Sequence, residues 1–264
     1  MKNKKVLFAI SLFLISTISI AQNKIKAATI MEDIKAGKSI SINNSTIIGV
    51  LDFTFMNEAL KKKSNKKKSS WFNWNSENST NEIKKIIDVN ISFINCTFKD
   101  DVLAYIPDKE SELTFTASFE NETIFKNCIF EHKAMFKYSR FEKNTDFSGS
   151  TFKDDSTFKY AKFDSKINFT NTTYYEIATF KYAKFNSNVS FKDAIFKEVA
   201  TYKYTQFLDG VSFKNTNFKE DLNIKYMKVS GEFNITNMKV DYEIDSKYTK
   251  INGKSFNKHL INAK

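Results

Sequence analysis

The constraint that leaves this chain the fewest options is a spacing. From Met135 to Leu222 the sequence falls into four blocks of twenty-two residues: MFKYSRFEKNTDFSGSTFKDDS, TFKYAKFDSKINFTNTTYYEIA, TFKYAKFNSNVSFKDAIFKEVA and TYKYTQFLDGVSFKNTNFKEDL. Large apolar residues stand at Phe136, Phe141, Phe147, Phe152, Phe158, Phe163, Phe169, Tyr174, Phe180, Phe185, Phe191, Phe196, Tyr202, Phe207, Phe213 and Phe218, at intervals that alternate five and six. An amphipathic helix needs intervals of three and four. An array of hairpins needs turn glycines and prolines, and the chain has only 6 Gly and 1 Pro. Two residues before each aromatic stands a small or β-branched residue, as in the columns Ser139, Ala161, Ala183, Thr205 and Thr145, Ile167, Val189, Val211. Residues two apart leave an extended strand on the same side. Each short strand therefore sends one small and one large side chain inward, four times per block. The pattern predicts a four-sided coil repeating every twenty-two residues, in which each coil touches only its neighbours.

Stacked coils place equivalent positions about 4.8 Å apart. The aromatic columns then pile up along the interior. Burying one such side chain contributes about 1.5–3 kcal/mol, with ~0.5–1.5 kcal/mol more for a well-placed ring pair. These columns are core rather than a ligand box, and the small residue beside each ring leaves room for it.

The unit of small residue, any residue, then Phe resembles that of the pentapeptide-repeat proteins. It is carried by AKF at Ala161–Phe163, AKF at Ala183–Phe185, AIF at Ala194–Phe196 and about a dozen looser copies across roughly Ile86–Val240. The resemblance implies an all-β fold: a right-handed quadrilateral parallel β-helix, or β-solenoid, with about 22 residues per coil. It extends to exported members of Bacteroidetes-type bacteria and implies no activity. Every second unit here has six residues instead of five, which implies a widened corner for every two sides.

Taken in order, residues 1–21 are expected to be a signal peptide, with Lys2, Lys4 and Lys5, an apolar run Val6–Ile20 and a small-residue cleavage site before Gln22. The other reading is an uncleaved anchor, although the run is short for a membrane span. Export places the protein in the periplasm or at the cell exterior. The formal charge is +11; without the three leader lysines it is +8, and without six clustered lysines more it is +2. Basicity is thus local, which argues against a nucleic-acid-binding body.

Residues 22–56 are expected to form an N-terminal cap and first irregular coil, with a short capping helix at Thr29–Lys35 and Gly37 at its end. Residues 57–85 break the period and predict an inserted loop carrying Lys61, Lys62, Lys63, Lys66, Lys67, Lys68, Trp71 and Trp74. That composition suits a membrane-interface or polyanion contact, or a solvated loop whose aromatics fold back. Residues 86–244 hold the coils. FINCTF at Phe93–Phe98 recurs as FKNCIF at Phe125–Phe130 after thirty-two residues, so ten extra residues near Ala104–Glu112, around Pro107, predict a surface bulge. Residues 245–264 leave the period as a C-terminal cap, with a short helix at Ser255–Ile261.

Little in the chain points to catalysis. Cys96 and Cys128 share one inward position in adjacent coils, which allows either a disulfide or two buried thiols; in-register side chains at about 4.8 Å favour thiols. His132 and His259 have no nucleophile partner, and no cofactor or metal site is indicated. Asp154, Glu176, Glu198 and Glu220 stack, with Lys153, Lys197 and Lys219 beside them as charge balance.

The most suggestive surface is the FKY column pair. Lys137, Lys159, Lys181, Lys203 and Lys225 form one outward column and Tyr138, Tyr160, Tyr182, Tyr204 and Tyr226 the next, flanked by Arg140, Lys162 and Lys184. Such a stripe could hold an anionic glycan, or simply be the copied surface of copied repeats. The expected function is a non-catalytic exported scaffold or interaction module of the bacterial envelope. Its partner would be an envelope protein or an anionic glycan or lipid, met through the stripe and the loop, and the open ends would allow end-to-end pairing of two copies. The alternative is a β-helix enzyme acting on acidic polysaccharide, which needs a break in the repeat at mid-helix that the blocks do not show. DNA mimicry, known in the family, needs an acidic surface.

Overall fold

The computed structural model describes residues 23–61 and 81–257. The chain winds as a right-handed four-sided parallel β-helix, the hand that parallel crossovers take in nearly all proteins. β1 (Asn23–Lys26) leads directly into α1 (Ala27–Lys35), and the first coil follows as β2 (Ile40–Asn43), β3 (Ser45–Ile48) and β4 (Leu51–Asp52). After helical residues 56–61, the chain resumes at β5 (Glu82–Ile87), then β6 (Ile91–Ile94), β7 (Thr97–Phe98), β8 (Val102–Leu103), β9 (Tyr105–Asp108) and β10 (Leu113–Phe119). After a four-residue strand at Thr123–Lys126, the coils from Ile129 onward are built from two-residue strands, one to each face. Face 1 contains β2 and β6, face 2 β1, β3 and β7, face 3 β4 and β8, and face 4 β5 and β10. Faces 1 and 3 each stack 8 strands, which makes the body roughly 34 Å long at the usual strand separation.

Register is strict. Phe119 pairs with Phe141, Phe141 with Phe163 and Phe163 with Phe185, each offset by one block. Inside, rings of one column stack nearly parallel, at 4.8 Å for Phe163–Phe185 and 4.9 Å for Phe169–Phe191. Rings of neighbouring columns meet edge to face, at 5.3 Å for Phe158–Phe169 and 5.4 Å for Phe169–Phe180. Both arrangements suit the ring quadrupole. The small column tolerates hydroxyls because they donate to carbonyls of the preceding coil: Thr205 Oγ1 to Phe180 O at 2.7 Å and Thr216 Oγ1 to Phe191 O at 2.8 Å.

The five-six alternation has a local cause. The five-residue units contain tight turns whose third residue has positive φ, closed by hydrogen bonds such as Ala161 N to Phe158 O at 3.0 Å. The six-residue units turn through wider bends. Tight and wide corners alternate around the square, so two opposite vertices are tight and two are broad.

Helix α1 begins at Ala27, two residues before the expected start, because β1 hands over to it without a break. It buries Ala27, Ile30 and Ile34 on the open end of the core, and Gly37 at φ +74 ends it. Two further differences from the sequence reading concern boundaries. β5 starts at Glu82 and pairs in parallel with Thr114–Phe119, so the coils resume before Ile86. The coil pattern also continues beyond Ile244: Val229 pairs with Ile251, Thr249 is buried, and the strand Lys254–Ser255 folds back antiparallel. Phe256 then covers part of this end, edge to face with Phe233 at 6.2 Å.

The ten residues around Pro107 form a hairpin strand instead of a bulge. β9 lies antiparallel to β10, with Pro107 opposite Thr114. Proline is tolerated there because β9 is an edge strand, where a missing N–H leaves no ladder bond unmade. β5, β10 and β9 thus form a three-stranded flap that projects past the corner between faces 3 and 4. Residues 1–21 of the expected signal peptide, and His259 and Ile261 in the expected terminal helix, lie outside the described residues.

Candidate functional site

The two tight vertices are built from different residues. Between faces 1 and 2 the positive-φ position is filled by Asn127, Gly149, Asn171, Asp193, Asn215 and Asn237. These are the residue types that turn requires, and their side chains form a ladder, Asn215 Nδ2 donating to Asp193 Oδ1 at 2.7 Å and Asn237 Nδ2 to Asn215 Oδ1 at 3.1 Å. Between faces 3 and 4 the same position is filled by Tyr138, Tyr160, Tyr182, Tyr204, Tyr226 and Tyr248, with φ from +59 to +65. These tyrosines therefore occupy turns and lie outside the strands. A bulky side chain in the left-handed region carries about 1–2 kcal/mol of strain.

The rings form a continuous exposed stack. Successive centroids lie 4.9, 4.7, 4.7 and 4.6 Å apart from Tyr138 to Tyr226, and 4.9 Å on to Tyr248. Tyr105 of β9 continues the stack at the other end, tilted at 5.9 Å from Tyr138. Desolvation between its neighbours, and the charge Tyr160 and Tyr204 would carry, hold the Tyr182 phenol above its ordinary value.

The lysine column leans over this stack. Lys159, Lys181 and Lys203 place Nζ 5.3, 5.3 and 5.5 Å from the rings of Tyr160, Tyr182 and Tyr204. Lys137 lies 4.3 Å from the Tyr105 ring and donates to its hydroxyl at 2.9 Å. Among the described residues, Lys137, Lys159, Lys181 and Lys203 have no carboxylate within ion-pair distance, whereas Lys225 reaches Asp245 at 3.7 Å. The flanking column differs. Arg140 is paired to Asp164 at 2.5 Å and Glu142 at 3.5 Å, and Lys162 to Asp164 at 3.3 Å. Burial alone would raise the Asp164 carboxyl, but Arg140 and Lys162 together more than offset it and hold it below the usual range.

On face 3 beside the lysines runs a shallow groove of about 450 Å³. Met135, Thr157, Thr179 and Thr201 line it at one per coil on face 3, together with Lys137, Lys159, Lys181 and the carboxylate of Asp155, and Tyr105 lies at one end. The sequence reading missed Tyr105, the threonine floor, and the last members of the two columns, Lys247 and Tyr248. The last pair was legible, since Lys247-Tyr248 follows Lys225-Tyr226 at the block interval.

The remaining candidates fall elsewhere. Cys96 and Cys128 are free and buried; each thiol donates to backbone carbonyls at 3.4 Å, and burial pushes Cys128 up. Asp154, Glu176, Glu198 and Glu220 line a wide corner, but the lysines beside them are engaged with other groups: Lys153 approaches Glu131 at 3.7 Å, Lys197 the Tyr175 ring at 3.6 Å and Lys219 Asp241 at 2.9 Å. Among the described residues no His, Cys, Asp or Glu cluster could hold a metal ion. His132 is exposed. Lys61 ends helical residues 56–61; Lys62, Lys63, Lys66, Lys67, Lys68, Trp71 and Trp74 lie outside the described residues. No helix among the described residues is long and apolar enough to cross a membrane.

Compared with known proteins, the chain matches the family model for pentapeptide repeats (9 copies) at residues 115–162 and 158–201. No curated protein and no solved structure matches. The matched residues are coils that carry the aromatic columns and the vertex from Tyr138 to Tyr182, and these coils are pentapeptide repeats.

Proposed function

We propose that this protein is a non-catalytic recognition scaffold of the bacterial envelope, exported by residues 1–21, which holds an anionic glycan along its Lys–Tyr vertex. A solenoid of pentapeptide repeats fits a non-catalytic repeat protein. The observation that carries the reading is the tyrosine at positive φ. The opposite vertex makes the same turn with asparagine and glycine, and so without this strain. Strained backbone that persists in consecutive coils points to use of the side chain. Beside the rings, four stacked lysines lack acidic partners among the described residues, and like charges in register repel. An anionic chain relieves that repulsion while its sugar faces pack on the rings.

The test is retention on an immobilised polyuronate. Substitution of Lys159, Lys181 and Lys203 by Glu should abolish retention, and substitution of Tyr160, Tyr182 and Tyr204 by Asn should weaken it while leaving the fold intact. Equal retention of all three proteins rejects the reading. Export is tested separately by the mass of the mature protein, expected to begin at Gln22.

A further inference from the structure

The groove on face 3 ends at Tyr105, and Tyr105 stands in a departure from the repeat. Ala104 aligns with Phe136, and Ala117 with Ser139, from the pairing of their neighbours. Where the following coil turns this corner with Lys137 and Tyr138 alone, the hairpin coil uses residues 105–116. The hairpin is tied at its base by Ala117 N donating to Ala104 O at 2.9 Å, and it is backed by β5 along Thr114–Phe119. Tyr105 therefore stands on a braced three-stranded flap. It is held by Lys137 at its hydroxyl and by Tyr138 at its ring. A ligand lying along the lysines can leave past Thr201, but in the other direction it meets Tyr105.

We propose that the groove binds the terminus of an anionic glycan, with the end sugar against Tyr105 and successive acidic groups on Lys137, Lys159 and Lys181. This rests on the reading of the vertex as a glycan site and adds to it which part of the polymer is taken. The floor suits sugars, since Met135 offers an apolar surface in the coil beside Tyr105 and Thr157, Thr179 and Thr201 offer hydroxyls in the next three, and among the described residues Lys137 alone of the four lysines is braced by a hydrogen bond to a neutral side chain. An aromatic ring set across the path of a polymer stacks on a terminal sugar and obstructs an internal one. A flat bilayer surface cannot enter a groove walled by the flap, so the glycan is favoured over lipid.

The experiment titrates the full mature chain with linear polygalacturonate and with the same material hydrolysed to short oligomers, at equal uronate concentration. If chain ends are bound, affinity per uronate rises with the number of ends. Tyr105→Ala should lower affinity for the oligomers at least about tenfold. Replacing residues 105–116 by Lys-Tyr, the turn of the next coil, should let polymer bind side-on and erase the dependence on end number. Circular dichroism and thermal unfolding establish that each variant is folded; if the replacement fails to fold, Tyr105→Ala decides alone. Binding of polymer that is indifferent to hydrolysis and to Tyr105→Ala overturns this inference and leaves the vertex reading standing. Absence of binding to both materials overturns both. Binding to vesicles of anionic phospholipid with none to either uronate also overturns both, in favour of a membrane contact.

Discussion

Asparagine on one vertex and tyrosine on the other perform the same backbone task, and the contrast allows a measurement at a single position. Tyr182→Asn removes about 1–2 kcal/mol of left-handed strain and forfeits two ring stacks of ~0.5–1.5 kcal/mol each. Chemical denaturation should therefore show a change between about 1 kcal/mol of gain and about 2 kcal/mol of loss, and a larger loss would mean that the ring is structural. Inside the core, Tyr174 and Tyr202 stand where other coils have Phe, and their buried hydroxyls have no hydrogen-bond partner among the described residues. Tyr174→Phe and Tyr202→Phe should each stabilise the protein by roughly 1 kcal/mol, because an unsatisfied buried hydroxyl is removed. Burial pushes both phenols well above the ordinary tyrosine value. Their raised values mean that the stability they contribute is present below the unfolded value of about 10 and is lost as pH rises above it. Phenolate absorbance should show these two ionising only as the chain unfolds. The aromatic columns were legible in the sequence because hydropathy encodes which side of a strand faces inward. The sign of φ was not, since tyrosine carries none of the turn signal that Asn171 and Asn215 give, although each lies eleven residues from a vertex tyrosine and marks the equivalent half-coil.

Elements depend on their neighbours above and below. Phe169 contacts Phe147 and Phe191 in its own column and Phe158 and Phe180 across it. Phe169→Ala should therefore cost about 3–5 kcal/mol. Because each coil rests only on adjacent coils, amide exchange should accelerate around that coil before it does so near α1. The helix itself was foreseen over Thr29–Lys35, with Gly37 near its end. Its direct continuation from β1 was not, because Asn23–Lys26 becomes a strand only by pairing with β3. The same limit applies to the flap. Pro107 marked an interruption, but an antiparallel strand and a bulge look alike in sequence when the partner strand, β10, is itself part of a repeat. Ile30 packs on the end of the core, so Ile30→Lys should uncover apolar side chains and strand edges, with self-association visible by size-exclusion chromatography.

At the scale of the whole molecule, charge is arranged in rows. Asp164 and Glu131 are held below their ordinary values, Asp164 by Arg140 and Lys162 acting against its own burial, and Glu131 by its hydrogen bond with Lys99 first and by Lys153 further. Depressed carboxylates contribute stability above their unfolded values near 4 and lose it as pH falls through the folded ones. The thermal unfolding midpoint should therefore fall below pH of about 4, and Asp164→Asn should flatten part of that dependence. The lysine row has the opposite character. It is bounded at one end by Tyr105 and at the other by Lys225, which is matched to Asp245. Four rungs lie between these limits, spanning roughly 14 Å at one rung per coil. Duplicating one block of twenty-two residues would add a single rung to this row without disturbing Tyr105 or the Lys225–Asp245 pair, so the length of uncompensated lysine surface can drift over generations simply by copying a stretch of gene.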